Sequence, residues 1–389
     1  MRISRRSQVP PFAVMEVLAA ANARRAAGEP VISLCAGQPG SGAPAAVRAR
    51  AAALLAEGDL GYTEALGIPA LRRALAEHYG RWYGVDVDPS RVALTTGSSG
   101  GFLLAFLAAF EAGDRVALAR PGYPAYRNIL RSLGVEVVEL PCGPESRFQL
   151  TTSQLRAACD GAKLDGVILA SPANPTGTMV DAAELDAMAR WCAEHGVRLV
   201  SDEIYHGLTY GPWAGRQATA ARHVDAGAVV VSSFSKYWAM TGWRLGWLVL
   251  PPELVPTVDA LAGNLALCPP ALAQHAALAA LTPEAYAEAD RLVEGYAAAR
   301  DLLLRRLPEL GWKVAPPDGA FYLYADVGTD DSVAWCERLL ADTGVALTPG
   351  TDFDGIGGAR YVRLSFAAPV EQVDEAVTRI VAWQRQRAR

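Results

Sequence analysis

A lysine flanked by hydrogen-bond donors lies in the segment SFSKYWAMTGWRLGW, residues 233–247. The valine-rich run before it is typical of a buried strand, which would deliver the Lys236 amine into a dry interior. Loss of hydration lowers the pKa of a lysine, so the neutral amine can act as a nucleophile. Ser233, Ser235 and Arg244 are donors suited to a phosphate group. The segment therefore predicts a lysine in Schiff-base linkage to a phosphorylated aldehyde, for which pyridoxal phosphate is the candidate.

A second anion site is predicted at TTGSSGG, residues 95–101, where a strand turns into a helix. The backbone N–H groups at such a turn and the helix dipole attract an anion, and Ser98 and Ser99 would add hydroxyl donors. The same stretch matches the G-x-S-x-G pattern of an α/β-hydrolase nucleophile through Gly97, Ser99 and Gly101.

A hydrolase using Ser99 therefore stays open as an alternative from the residues alone. Candidate acid and base residues follow in the required order: Asp202, then His206, His223 or His275. Against it, no HGGG-type oxyanion motif precedes the turn, and Lys236 with its flanking donors is left unexplained.

Three polar side chains follow other predicted strands. Asn174, in SPANPTG, precedes a proline that favours extended backbone and so determines where the amide points. Asp202, in SDEIY, lies at the carboxyl end of a buried strand, where ligands of open α/β sheets bind. A buried carboxylate needs a charged partner, and a pyridinium N–H would supply one. Tyr205 could donate its hydroxyl to the same ring oxygen that Asn174 reaches.

Two further candidates complete the set. Tyr123, in PGYPAY, could stack on a cofactor ring, although an aromatic residue between prolines also suits a loop packed on the core. Arg363, in RYVRLSF, could clamp a substrate carboxylate with two hydrogen bonds, although a surface ion pair is the simpler interpretation of a lone arginine. One ligand, pyridoxal phosphate, accounts for all of these residues together.

The elements that must position these side chains alternate between strand and helix from about residue 91 to residue 250. Apolar strands separated by helices indicate an α/β fold with a mostly parallel sheet covered on both faces. Residues 283–310 form an alanine-rich helical stretch, and the strand–helix mixture after it predicts a smaller α+β domain. A chain of 389 residues is long enough for two domains.

The composition and net charge of the chain limit the kinds of partner that it is expected to bind. The net charge of −5, without a basic face, argues against nucleic acid. Six scattered cysteines without a CxxC pair indicate a reducing, cytoplasmic setting and no metal site. No apolar run is long enough to span a membrane, and the basic start followed by FAVMEVLAAANA is interpreted as an amphipathic helix rather than a signal peptide.

In combination, these motifs resemble those of the class I and II aminotransferases of fold type I, the aspartate aminotransferase superfamily. The resemblance extends from AGQPGSGAP at 36–44 to RYVRLSF at 360–366. It rests on NPTG, the Asp-x-x-Tyr pair, and SxSK followed eight residues later by arginine. It implies a pyridoxal-phosphate enzyme that moves an amino group from an L-amino acid to a 2-oxo acid by a ping-pong mechanism through a lysine aldimine.

The resemblance also implies a role for each candidate. Lys236 would anchor the cofactor and move the proton between Cα and C4′, Asp202 would keep the ring nitrogen protonated, and Tyr205 would complete the catalytic set. The other cofactor contacts would come from Asn174 on the ring oxygen, Tyr123 on the ring face, and Ser98, Ser99, Ser233, Ser235 and Arg244 on the phosphate. Arg363 and Asn174, with the backbone of Gly37, would bind the substrate.

Tyr62, in GYTEALGIPALR, matches the family tyrosine that reaches the phosphate of the other subunit, which implies a homodimer. The implied domains are residues 1–40 joining the small domain, residues 41–282 forming the large cofactor-binding domain, and residues 283–389 forming the small C-terminal domain.

The substrate and the reaction type stay open at this stage. Some aspartate-specific relatives carry a basic residue in the glycine turn, where this chain has Ser99, and the segment 263–270 is largely apolar. An aliphatic or aromatic amino acid therefore suits the chain as well as an acidic one. A carbon–sulfur β-lyase is the alternative reaction on the same scaffold.

Overall fold

The structure is a computed structural model and describes residues 1–387. The strands are β1 (Ile32–Ser33), β2 (Val92–Thr95), β3 (Arg115–Arg120), β4 (Glu136–Pro141), β5 (Gly166–Ala170), β6 (Arg198–Asp202), β7 (Val229–Ser233), β8 (Gly246–Val249), β9 (Lys313–Val314), β10 (Tyr322–Asp326), β11 (Val345–Ala346), β12 (Thr348–Pro349) and β13 (Tyr361–Ser365). The α-helices are α1 (Ala13–Ala26), α2 (Ala45–Glu57), α3 (Pro69–Tyr83), α4 (Gly97–Ala109), α5 (Pro124–Leu133), α6 (Thr152–Cys159), α7 (Ala182–His195), α8 (Val255–Ala266), α9 (Ala271–Ala277), α10 (Pro283–Leu310), α11 (Ser332–Thr343) and α12 (Val370–Arg387). None of the helices within residues 1–387 is both long and apolar enough to cross a membrane.

Seven strands form the central sheet, in the order β2-β8-β7-β6-β5-β3-β4. Neighbouring strands from β7 to β4 are parallel, whereas β8 runs antiparallel to both β2 and β7. The prediction of an α/β fold with a mostly parallel sheet is therefore confirmed. The carboxyl ends of β2, β5, β6 and β7 lie at one edge of this sheet. That edge carries the polar residues singled out above.

Apolar side chains cover the central sheet on both faces. In β5, Val167 and Leu169 pack in one hydrophobic core while Ile168 packs in the other. In β7, Val230 and Val231 divide in the same way. Adjacent residues of a strand point to opposite faces, so a run of valine, isoleucine and leucine is favoured where both faces are buried. This burial makes the sheet a rigid support for the groups at its edge.

A second sheet is antiparallel, in the order β12-β13-β10-β9, and α10 and α12 pack together beside it. The N-terminal strand β1 pairs in parallel with β11, with Ile32 opposite Val345. The first residues of the chain thus join the C-terminal part. The domain bounds at residues 40 and 282 stay a prediction, and residues 388–389 of the last domain lie outside the described part of the chain.

Gly177 joins the turn after β5 to the segment that leads into β10. Its carbonyl oxygen accepts hydrogen bonds from the backbone N–H groups of Asp318 and Gly319, both at 2.8 Å. The φ angle of Gly177 is +68°, and an added Cβ would lie 2.6 Å from Pro317 Cβ and 2.8 Å from the carbonyl oxygen of Tyr322. Only glycine fits this position without displacing the neighbouring backbone.

We expect Gly177→Ala to lower the free energy of unfolding by about 3 kcal/mol, because left-handed backbone and steric overlap both destabilise the variant. Gly196→Ala is the matched control, since Gly196 has a φ of +63° and no atom within 4 Å of an added Cβ. The control should lose only about 1 kcal/mol. Urea unfolding followed by tryptophan fluorescence measures both losses, and equal losses would contradict the role of crowding at Gly177.

Candidate active site

A cavity of about 250 Å³ opens at the carboxyl edge of the central sheet, beside β13 of the small sheet. Eleven of the predicted site residues line it: Gly37, Ser98, Ser99, Tyr123, Asn174, Asp202, Tyr205, Ser235, Lys236, Arg244 and Arg363. Two predicted residues, Ser233 and Tyr62, do not line it. The other lining residues, which the motifs did not identify, are Val14, Tyr126, Ile204, Thr241 and Tyr322.

Lys236 lies three residues after β7, and its amine donates a hydrogen bond to the carbonyl oxygen of Gly37 at 2.7 Å. Burial lowers the pKa of Lys236 to about 8, and the nearby positive charge of Arg363 acts in the same direction. The carboxylate of Asp202 opposes both effects by favouring the charged amine. The amine is therefore partly neutral near neutral pH, as a nucleophile or base requires.

Asp202 ends β6 and is buried, with 3% of its surface exposed. Burial raises its pKa to about 6, while hydrogen bonds from the Tyr126 hydroxyl and the Ile204 backbone N–H favour the ionised form. The Ile204 N–H lies 3.1 Å from Asp202 Oδ1. Tyr126 follows Tyr123 by three residues at the start of α5, and this helical spacing was the signal that could have identified it.

The start of α4 and Arg244 form one end of the cavity. Ser98 and Ser99 lie in the first turn of α4, where backbone N–H groups have no partner within the helix. Arg244 has a φ of +52°, and its guanidinium packs so closely on Gly97 that a Cβ there would collide with it. Its Nη1 donates to the carbonyl oxygen of Thr241 at 3.0 Å. Donors and positive charge thus converge as an anion site requires.

Ser233 lies behind this end of the cavity rather than in its wall. Its hydroxyl is 2.7 Å from Ser235 Oγ and 3.1 Å from the carbonyl oxygen of Leu245, next to β8. The Ser233 oxygen also accepts the backbone N–H of Ser235 at 3.0 Å. Ser233 therefore orients Ser235, which does line the cavity.

Arg363, in β13, is a buried cation in the wall of the cavity, with 3% of its surface exposed. It donates to Asn174 Oδ1 at 2.8 Å and to the carbonyl oxygen of Cys35 at 2.7 Å, while its Nε has no hydrogen-bond partner. Within residues 1–387 no carboxylate forms an ion pair with it. A buried guanidinium without a carboxylate is suited to an anion from outside the chain.

Two tyrosines meet beside Lys236. The hydroxyl oxygens of Tyr205 and Tyr322 are 2.8 Å apart, and burial raises the pKa of Tyr205 well above its ordinary value. Both side chains therefore stay neutral. Tyr322 also lies against the Arg363 guanidinium, 4.4 Å from its ring centroid to the arginine Cζ. The sequence around Tyr322 held no signal of this contact.

The geometry does not support the hydrolase alternative. The imidazole of His206 is buried between the Tyr83 hydroxyl at 2.7 Å and the Ser171 carbonyl oxygen at 3.0 Å. His223 Nε2 lies 2.7 Å from Asp186 Oδ1. Among the described residues that line the cavity with Ser99 there is no histidine. Ser99 therefore has none of the histidines of the predicted hydrolase triad beside it in the cavity.

Comparison with known proteins identifies the family. The sequence matches the model of "Aminotransferase class I and II" over residues 29–380. The chain belongs to this family. It is 56% identical to a valine–pyruvate aminotransferase of Mycobacterium tuberculosis, over 98% of each chain, and 36% identical to an aspartate/prephenate aminotransferase of Thermus thermophilus, over 97% of each.

Solved structures agree with this family membership. A crystal structure of an aminotransferase from Mycobacterium tuberculosis covers 99% of this chain and all of its own, with a TM-score of 0.96 and 55% identity. The aspartate aminotransferase of Thermus thermophilus with maleate covers 98% of this chain and 100% of its own, with a TM-score of 0.92 and 35% identity. The predicted pyridoxal-phosphate-dependent aminotransferase is confirmed, and the β-lyase alternative is not favoured.

The cavity of this aminotransferase fits pyridoxal phosphate by the chemistry of its donors. The N-terminus of α4 and Arg244 offer donors and positive charge for a phosphate, and Lys236 offers an amine for an aldehyde. The buried Asp202 has room in its hydrogen bonding for a ring N–H. Three cations among the described lining residues face one carboxylate, so the cavity favours an anionic occupant.

We expect the Lys236 amine of the cofactor-free aminotransferase to titrate with a pKa of about 8. Competitive labelling with acetic anhydride over a pH series, read by peptide mass spectrometry, measures each lysine separately, because the chain has only Lys163, Lys236 and Lys313. Since the pKa of Lys236 is lowered to about 8, its labelling should rise through that pH. Labelling of Lys163, whose pKa is raised by its hydrogen bond to Asp165, should rise at higher pH.

Arg363→Gln tests the cause of this shift. Removal of the positive charge should move the Lys236 midpoint to higher pH and leave the Lys163 midpoint unchanged. If Lys236 and Lys163 titrate together in the unaltered protein, Lys236 is not desolvated and this account of the cavity is wrong.

Proposed function

We propose that this aminotransferase binds pyridoxal 5′-phosphate in the cavity and transfers the amino group of L-valine to pyruvate. The charge balance of the cavity carries the proposal. Among its described lining residues, the cations Lys236, Arg244 and Arg363 face the single carboxylate of Asp202. The reaction needs an amine, a phosphate site and a site for the α-carboxylate. Each of the three cations would meet one of these needs.

Different residues of the cavity wall would hold the phosphate, the ring nitrogen, the ring oxygen and the ring face of the cofactor. Bound pyridoxal phosphate supplies an aldehyde that condenses with amines and a ring that accepts the electron pair released at Cα. The proposed contacts are Ser98, Ser99, Ser235 and Arg244 to the phosphate, Asp202 to the ring nitrogen, Asn174 and Tyr205 to the ring oxygen, and Tyr123 to the ring face. Ser233 would act through Ser235.

Lys236 would serve as the base that takes up the proton at the substrate Cα. Its lowered pKa leaves a neutral fraction of the amine near neutral pH, and the Gly37 carbonyl oxygen at 2.7 Å orients it. Asp202 would be held ionised by a positively charged ring N–H, which offsets the cost of its burial. Arg363 would bind the α-carboxylate with two parallel hydrogen bonds, giving its unpartnered Nε an acceptor.

Valine suits the remaining surface of the cavity. Val14 contributes an aliphatic side chain, and the described lining residues include no fourth cation for a side-chain carboxylate. Ser99 stands in the glycine turn where some aspartate-specific relatives carry a basic residue, and residues 263–270 carry no charged side chain. The 56% identity to a relative named valine–pyruvate aminotransferase supports the same pair of substrates.

A half-reaction with each amino acid tests the substrate. The holoenzyme, mixed with L-valine, should show the absorbance change of the cofactor from its aldehyde to its amine form, and pyruvate should reverse it. We expect kcat/KM for aspartate to be lower by about a hundredfold, because an unpaired carboxylate would be buried beside Val14. Aspartate turnover as efficient as valine turnover would contradict the assignment.

We also propose that the enzyme is a homodimer in which Tyr62 reaches the partner's cavity. The Tyr62 side chain is 85% exposed and does not line the cavity of its own chain. Leu265 and Leu267 are more than half exposed, at 56% and 57%, and Leu103 is 38% exposed. Leu103 and Leu265 line one groove together, and exposed apolar side chains of this kind are typical of a surface that another chain covers.

Hybrid dimers test the contribution of Tyr62 across the interface. Mixing Lys236→Ala chains with Tyr62→Ala chains should restore up to one native site per hybrid, because one site would receive Lys236 from one chain and Tyr62 from the other. Activity after mixing should therefore exceed the sum of the two separate variants. If Tyr62 acts within its own chain, no hybrid contains a native site and mixing restores nothing.

A further inference from the structure

The first turn of α1 is capped by a side chain that lies far away in the sequence. Asp352 Oδ1 accepts the backbone N–H of Ala13 at 3.1 Å, and its Oδ2 accepts that of Val14 at 3.4 Å. Phe12 occupies the N-cap position and has no side-chain oxygen to cap the helix. A carboxylate at a helix N-terminus satisfies free N–H groups and interacts favourably with the helix dipole.

Asp352 is itself held in place by α5. Its carbonyl oxygen accepts a hydrogen bond from Arg127 Nη2 at 2.8 Å, and the next carbonyl, that of Phe353, accepts the backbone N–H of Gly122 at 3.1 Å. Asp352 has 8% of its surface exposed, and within residues 1–387 its carboxylate forms no ion pair. Its carboxylate is thus directed to the start of α1 from a turn anchored to the large sheet layer.

The first turn of α1 contributes an aliphatic side chain to the active-site cavity. Val14, the second residue of the helix, lines the cavity, whereas Asp352 does not. Phe12 stacks on Tyr123, with ring centroids 6.2 Å apart and planes inclined by 8°. The position of Val14 relative to Arg363 and Lys236 therefore depends on how α1 begins, and within residues 1–387 the only side chain that hydrogen-bonds the N–H groups of Ala13 and Val14 is that of Asp352.

We propose that Asp352 is a positioning residue for substrate selection: by capping α1 it holds Val14 against the side chain of a branched aliphatic amino acid. The inference rests on the proposed function, since it assigns Val14 to the isopropyl group of valine. Alanine, the amino acid formed from pyruvate, has only a methyl group and would gain less from this contact. Asp352 therefore contributes to the binding of valine more than to that of alanine.

Kinetics of the holoenzyme with both amino acids tests the proposal. Asp352→Ala should raise KM for valine about fivefold, an effect of the size expected for a lost helix cap. KM for alanine should change less than about twofold, because its methyl group gains less from Val14, and kcat for both amino acids should change as little, because Asp352 does not line the cavity. Asp352→Asn, which keeps one acceptor oxygen, should show a smaller rise. In the Val14→Ala background, Asp352→Ala should have little further effect on KM for valine.

The matched control is Asp181→Ala. Asp181 caps α7 by accepting the Glu184 backbone N–H at 2.8 Å and does not line the cavity, so its loss should leave both KM values unchanged. Hydrogen exchange gives a second readout that is independent of turnover. Asp352→Ala should speed amide exchange in the first turns of α1, and Asp181→Ala should not.

Each outcome decides between the two proposals. If the unaltered enzyme fails to convert valine, the proposed function is wrong and the role of Asp352 in valine selection is lost with it. If the unaltered enzyme converts valine but Asp352→Ala raises the KM values of valine and alanine equally, or leaves exchange in α1 unchanged, only the positioning role is overturned. A selective rise in KM for valine that disappears in the Val14→Ala background supports the positioning role of Asp352.

Discussion

The positive charge concentrated at the carboxyl edge of the sheet is the constraint on which the site depends. Lys236, Arg244 and Arg363 surround one cavity with a single carboxylate among its described lining residues. Removing charges from water is costly unless they are paired or hydrogen-bonded. For Lys236 and Arg363, the less exposed of these cations, the chain meets part of this cost with the carbonyl oxygens of Gly37 and Cys35. The rest of the positive charge is available to anionic ligands.

The fold places these charges by a simple geometric rule. Parallel strands end at the same edge of a sheet, so polar residues that follow separate apolar runs meet there. Asn174 follows β5, Asp202 ends β6 and Lys236 follows β7. Because both faces of the sheet are covered by apolar cores, the strands have little freedom to move. The reacting groups are therefore held in place before any ligand binds, which favours catalysis.

Contacts between the two sheets complete the site. Arg363 of the small sheet reaches Asn174, and the turn at Gly177 is hydrogen-bonded to the segment that precedes β10. The N-terminal helix α1 is also held in this region, because the Asp352 carboxylate caps its first turn. The substrate end of the cavity thus depends on chain segments that are distant in sequence, whereas the cofactor end is built mainly from consecutive strand ends.

The sequence by itself determined the sheet, the family and most of the cavity. Asp202 and Lys236 each stand at a fixed offset from an apolar run, so the alternation of strand and helix was enough to bring them together. The strand β8 was not predicted. The contact between the Ser233 hydroxyl and the Leu245 carbonyl oxygen, which turns this serine away from the cavity, was therefore missed as well.

Only the tertiary structure decided which distant side chains form hydrogen bonds with the groups around the site. Tyr126 donates to Asp202 across 76 residues, Tyr322 meets Tyr205 across 117, and Asp352 caps Val14 across 338. A hydrogen bond between residues so far apart depends on side-chain direction and on the packing of elements against each other. Local periodicity records which face of a strand or helix is buried, but it contains no information about the partner that the opposite element will present.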